Sequence, residues 1–97
     1  MIITFKCAET KKIYQQEFSK KFPTEIQSVA FRKLMMIQAA GLISDLRVPP
    51  GNHLEKLVGD RDGDYSIKIN DQYRICFRWT NGGGIQGAVN VEIVDYH

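Results

Sequence analysis

The sequence predicts an α+β domain: one strand, two helices, then a mostly antiparallel, curved β meander with the helix hairpin packed on one of its faces. Three observations lead there. Apolar residues recur at helical spacing between residues 9 and 40. From residue 53 onward they alternate in short runs divided by turn chemistry, and each run carries one apolar and one polar face. Such a sheet needs a cover on its dry face only, which an amphipathic helix pair supplies. With 97 residues and 43% apolar composition, residues 1–97 are expected to form one domain around one two-layer core.

The elements follow in order. "IITFKC" alternates, with Ile3, Phe5 and Cys7 on one face, and predicts a first strand. In "ETKKIYQQEFSKKF", Tyr14, Phe18 and Phe22 recur every four residues, which predicts a helix that Pro23 ends. Thr24 with Gln27 three positions on has the form of a capping box. The stripe Ile26, Val29, Ala30, Leu34 and Ile37 predicts a second helix running to Gly41. Pro49, Pro50 and Gly51 make a loop, after which His53 begins the strand "HLEKLV". "YSIKI", "YRICFRW" and "AVNVEIVDY" follow, separated by "GDRDGD", "NDQ" and "NGGG".

The register of the central hairpin follows from parity. Tyr65, Ile67 and Ile69 form one apolar face, and Tyr73, Ile75, Phe77 and Trp79 another. They meet only across a loop with an odd number of residues, so Asn70, Asp71 and Gln72 make the turn and residue 67 pairs with 75. The opposite face then sets Lys68 against Arg74, Ser66 against Cys76 and Asp64 against Arg78. Like charges directly opposed are unfavourable in a sheet. Lys68 and Arg74 together therefore suggest a negative group seated between them, and two solvated side chains are the plainer reading.

The net charge of +2 says less than its distribution. Residues 1–40 hold seven Lys and Arg against three Glu, and the remainder carries two more acids than bases. Lys11, Lys12, Lys20, Lys21 and Lys33 make the helical half a candidate docking surface for an acidic partner. Cys7 and Cys76 sit in apolar runs without CxxC spacing and are expected to be buried, reduced thiols. No apolar run approaches a membrane span and "MIITFKC" lacks the features of a signal peptide, so a soluble cytoplasmic protein with no membrane partner is expected. "GGGIQG" matches a dinucleotide fingerprint in letters only, because strand follows it, and "DRDGD" has its glycine in the wrong place for a calcium loop. With His53 and His97 the only histidines and no thiol near them in sequence, no metal and no cofactor is expected.

"VNVEIVDYH" places an acid, a phenol and an imidazole side by side after an alternating run, Val89, Val91 and Ile93, that anchors them in the sheet. Strict alternation puts Asp95 and His97 on the face of Ile93 and Tyr96 on the other, so a compact cluster requires the strand to twist at its end. Taken together, "VPPGNHLEKLVGDRDGDYSIKINDQYRICFRW" and "VEIVDYH" resemble the HigB-type (host inhibition of growth, or plasmid-maintenance killer) toxins of the RelE/ParE superfamily, densely over residues 48–97 and by architecture before them.

That resemblance implies a RelE-like fold and a bacterial toxin that cleaves messenger RNA in the ribosomal decoding site without metal. It also implies a helix-turn-helix antitoxin of the HigA type, through which alone the pair would contact operator DNA. By position it assigns catalysis to Asp95, Tyr96, His97 and the phosphate-facing Arg74. Lys68, Arg78, Lys56, His53 and Arg61 become candidates for RNA contact. Family members place a histidine and a lysine where this chain has Glu55 and Val58; His53 and Lys56, displaced by two positions, are the candidates to substitute. The chemistry suits the residues: a histidine exchanges protons near neutral pH, and an arginine grips phosphate bidentately. Two rival readings are a superfamily toxin that poisons DNA gyrase and a non-catalytic module that only holds its antitoxin.

Overall fold

The computed structural model describes residues 1–96, so His97 lies outside the described residues. Helices α1 (Ala8–Tyr14) and α2 (Thr24–Ala39) are followed by 3-10 turns at Ile43–Arg47 and Pro50–Asn52. The strands β1 (Glu55–Lys56), β2 (Asp64–Lys68), β3 (Tyr73–Thr80) and β4 (Gly87–Asp95) form one sheet in the order β1-β2-β3-β4, each neighbour antiparallel. The helices cover one face. Ile13, Ile26, Ala30, Leu34 and Ile37 pack there against Ile67, Ile69, Ile75, Phe77, Ala88, Val91 and Ile93. No helix among the described residues is long and apolar enough to cross a membrane.

The expected first strand is reduced to two isolated parallel bridges, Ile2 to Ala88 and Phe5 to Val91. Between them Asn90 takes a left-handed conformation (φ 56°), and its N–H donates to the Thr4 hydroxyl at 2.8 Å instead of to a backbone carbonyl. The ladder is broken at that point, and Ile3 stands exposed instead of sharing a buried face with Phe5 and Cys7. At the far end the Ile93 N–H is taken by the buried Thr10 hydroxyl at 3.0 Å, so α1 and the N-terminal segment together cover the outer edge of β4.

The first helix stops eight residues before Phe22. Gln16 adopts φ 62°, the Glu17 N–H reaches the Lys12 carbonyl at 2.8 Å and the Gln16 N–H reaches that of Ile13 at 3.0 Å. This is a Schellman ending with glutamine where glycine is usual. Phe18 is consequently 62% exposed, whereas Phe22 is 7% exposed and meets Tyr73 edge-on at 6.2 Å. Phe22→Ala is therefore expected to cost about 3 kcal/mol and Phe18→Ala less than about 0.5 kcal/mol. Equal losses in chemical denaturation would restore the longer helix.

The capping box does not form. Thr24 makes no side-chain cap, and Gln27 instead reaches back to the Ser19 backbone and the Phe22 carbonyl, tying the interhelical loop to α2. Lys33 also departs from the expected basic surface: it is 7% exposed and donates to the Asn52 side-chain carbonyl. Asn52, fully buried, donates in turn to the Leu46 and Val48 carbonyls at 3.2 and 3.4 Å. An ammonium that takes a core-facing position needs an oxygen partner, and here that partner pins the 43–52 loop onto α2.

In the sheet, Asp64 pairs with Arg78, Ser66 with Cys76, Ile67 with Ile75 and Lys68 with Arg74, as parity required. Strand β4 departs from simple alternation. Cys76 faces Glu92 while Arg78 faces Val89, so Asn90 and Val91 together oppose Phe77 in a β-bulge. Ala88, Val91 and Ile93 line the core, and Val89 belongs to the other face.

Candidate functional site

The sheet face away from the helices carries the charged residues. The turn that joins β2 to β3 organises its upper end. The Asn70 side-chain carbonyl accepts the N–H groups of Gln72 and Tyr73 at 2.8 and 2.7 Å, an Asx arrangement that closes the turn locally. Gln72 then holds the last strand: its carbonyl accepts the Tyr96 N–H at 2.6 Å and its side-chain amide donates to Asp95 at 3.2 Å. The end of the described chain is thus tied to a rigid hairpin.

Tyr96 lies on the face of Arg74, with the guanidinium carbon 5.7 Å from its ring centroid. Arg74 is otherwise enclosed. Its Nε donates to the buried Ser66 hydroxyl at 2.9 Å, one Nη to the His53 carbonyl and the other to Glu55 at 3.4 Å, and its side chain is 11% exposed. Glu55 stands on this face because it pairs with Ser66 across β1 and β2. His53 does not begin a strand: it is left-handed (φ 44°), and that bend aims its carbonyl at Arg74.

A second cluster lies further along. Arg61, from the turn after β1, meets Glu92 at 3.3 Å and Asp64 at 3.7 Å, and Lys6 reaches Glu92 at 3.4 Å. Beneath them Cys76 is fully buried, and burial pushes its thiol up to about 11. The other thiol is not buried as expected. Cys7 is half-buried with the Lys21 ammonium 3.7 Å away; burial raises it, but bonds to Thr10 and Glu9 and the nearby charge outweigh that and bring it below the ordinary thiol range.

The candidate residues are gathered unevenly. Lys56, Arg61 and Tyr96 line one cleft of about 460 Å³ together with Glu55, Leu57, Val58 and Asp60. Asp95 pairs with Tyr73 and so sits on the opposite side of the strand from Tyr96. Lys68 and Arg74 each take a carboxylate of the protein. Lys68 binds Asp71 at 2.9 Å, holding that carboxyl below its usual range by hydrogen bond and charge, and Arg74 binds Glu55. Arg78 is likewise engaged, with Asp64 at 3.2 Å and the Asp62 carbonyl at 2.9 Å. Ser66, Asn70 and Gln72 were not singled out from sequence as functional, though the hairpin register already set Ser66 diagonally behind Arg74. A cation oriented by acceptors of the protein, roofed by an aromatic ring and beside an open cleft, can take up an anionic ligand with a planar base.

Comparison with known proteins is consistent with this arrangement. A family model described as the RelE-like toxin of type II toxin-antitoxin system HigB matches residues 3–97. Toxin HigB-1 of Vibrio cholerae is 40% identical over 83 residues, covering 84% of this chain and 87% of that protein. An uncharacterised protein of Haemophilus influenzae is 46% identical over 61 residues, 63% of this chain and 60% of its own. Among solved structures, the YoeB/ParE toxin from Agrobacterium tumefaciens superposes with a TM-score of 0.51 at 19% identity, covering 99% and 97% of the two chains. At that identity the likeness concerns the fold.

Proposed function

Because the chain belongs to the HigB family of RelE-like toxins from type II toxin-antitoxin systems, we propose that it arrests growth by cutting messenger RNA on the ribosome. In this reading the 2′-oxygen attacks the adjacent phosphorus, the bond to the 5′-oxygen breaks, and a 2′,3′-cyclic phosphate and a 5′-hydroxyl result. His97 exchanges the proton with the reacting oxygens, Arg74 neutralises the phosphorane-like charge, and Tyr96 stacks on a base or orients the phosphate. Asp95 keeps the chain end in place, and Lys56, Arg61 and the cleft beside them receive the flanking nucleotides, with His53, Lys68 and Arg78 at its margins. No metal is assigned a step. The partners are a helix-turn-helix antitoxin and the ribosome, which positions the message and makes a strongly basic toxin unnecessary. Cytoplasmic action follows from that substrate.

The observation that carries the reading is the guanidinium of Arg74, oriented by Ser66 beneath the Tyr96 ring on the face opposite the helices. The test is mapping of message 5′ ends after induction. New 5′-hydroxyl ends inside translated frames, absent when the start codon is removed, are expected. Intact messages with inhibited DNA supercoiling would replace this reading with gyrase poisoning.

A further inference from the structure

Every nitrogen of Arg74 already has an acceptor, and the three acceptors differ in kind. Ser66 is fully buried, and the His53 carbonyl belongs to the backbone. Glu55 alone of the three is a charged, solvent-exposed side chain. It is 53% exposed, reaches Arg74 at 3.4 Å, and stands on a two-residue strand that among the described residues pairs with β2 alone. A long, solvated ion pair of this kind is weak, whereas a phosphodiester offers a guanidinium two short charge-assisted bonds. The carboxylate also lines the cleft that Tyr96 borders, so an anion that enters there has a like charge beside it.

We infer that Glu55 is a built-in competitor for the phosphodiester at Arg74, and that it sets the selectivity of the site. In the free protein it occupies the outer part of the guanidinium and holds off loosely bound anions. A nucleotide chain that gains further contacts in the cleft displaces it. Ser66 and the His53 carbonyl keep Arg74 in place throughout the exchange. This rests on the proposed phosphodiester site at Arg74.

The experiment is an NMR titration of the full chain with a short 2′-O-methyl RNA, which cannot be cleaved, following the Arg74 Nε–H resonance so that even millimolar binding registers. Inorganic phosphate serves as the second ligand. Glu55→Gln, an isosteric change at an exposed position, is expected to tighten both ligands about three- to tenfold, because it removes an ion-pair competitor and a like charge from the path. The gain for phosphate is expected to be at least as large as that for RNA, which narrows the selectivity between them. Arg74→Ala is expected to abolish the gain. Unchanged or weaker binding by Glu55→Gln, with binding lost in Arg74→Ala, would overturn the competitor role and leave the phosphodiester site standing. Binding untouched by Arg74→Ala would remove the site itself. Unchanged affinity with cleavage lost in Glu55→Gln would also overturn it and make Glu55 a catalytic group.

Discussion

His97→Ala, or a chain ending at Tyr96, is expected to cleave messages about 10²–10⁴-fold more slowly, the usual cost of losing a positioned acid or base. The fold is expected to survive, since the last buried side chain of β4 is Ile93 and residues 95–96 are exposed and held by Gln72. Antitoxin binding is therefore expected to persist while growth arrest fails. The measurement is single-turnover cleavage on programmed ribosomes, with thermal denaturation and antitoxin binding as controls. Wild-type cleavage by the shortened chain would remove His97 from the mechanism.

Asn52→Ala is expected to cost about 2–3 kcal/mol, the range for removing a hydrogen-bond partner of a charged group that is left buried. The Lys33 ammonium would lose its oxygen, and the Leu46 and Val48 carbonyls their donor. Adding Lys33→Met is expected to restore much of the loss, because a methionine fills the same space without needing a partner. pH provides an independent check. Burial first, and the neighbouring Arg32 charge second, hold Lys33 below its ordinary value of 10.5. Just below that value the unfolded chain binds more protons than the folded one, so stability from this group rises with pH there, and its cost is fully present only below the folded value. Lys33→Met is expected to flatten that rise. A loss below about 1 kcal/mol in Asn52→Ala would mean that the ammonium finds water instead.

How much could be read from the chain depended on whether the deciding contact was local. The β2–β3 pairing followed from alternation alone, because two apolar faces must meet across the turn and only one parity allows it. The helical stripe of α2 was legible for the same reason. The end of α1 was not, since it turns on Gln16 in a conformation for which glycine is the ordinary signal. Lys33 read as one more surface lysine, because its partner lies nineteen residues away in a loop of no regular pattern. On the polar face, alternation placed Arg74 and Ser66 correctly, yet it could not show that Glu55 reaches Arg74, which depends on how β1 docks beside β2. The letter N within "VNV" was the available hint of the irregularity in β4, asparagine being tolerant of left-handed geometry.

That irregularity works as a half-step in the strand's rhythm. Ala88 faces the helices, and an unbroken alternation from it would turn residues 90, 92, 94 and 96 the same way, carrying Tyr96 to the helix side of the sheet. The extra residue at Asn90 exchanges odd for even, so that Val91 and Ile93 keep the core and Tyr96 comes out above Arg74. Which side of the molecule presents the aromatic ring is thus decided six residues upstream, at a position that touches neither the ring nor the arginine. Flattening the bulge with every residue retained would invert Tyr96 relative to the rest, whereas deleting that one asparagine would leave a regular strand with Val91 and Ile93 in the core and Tyr96 still above Arg74.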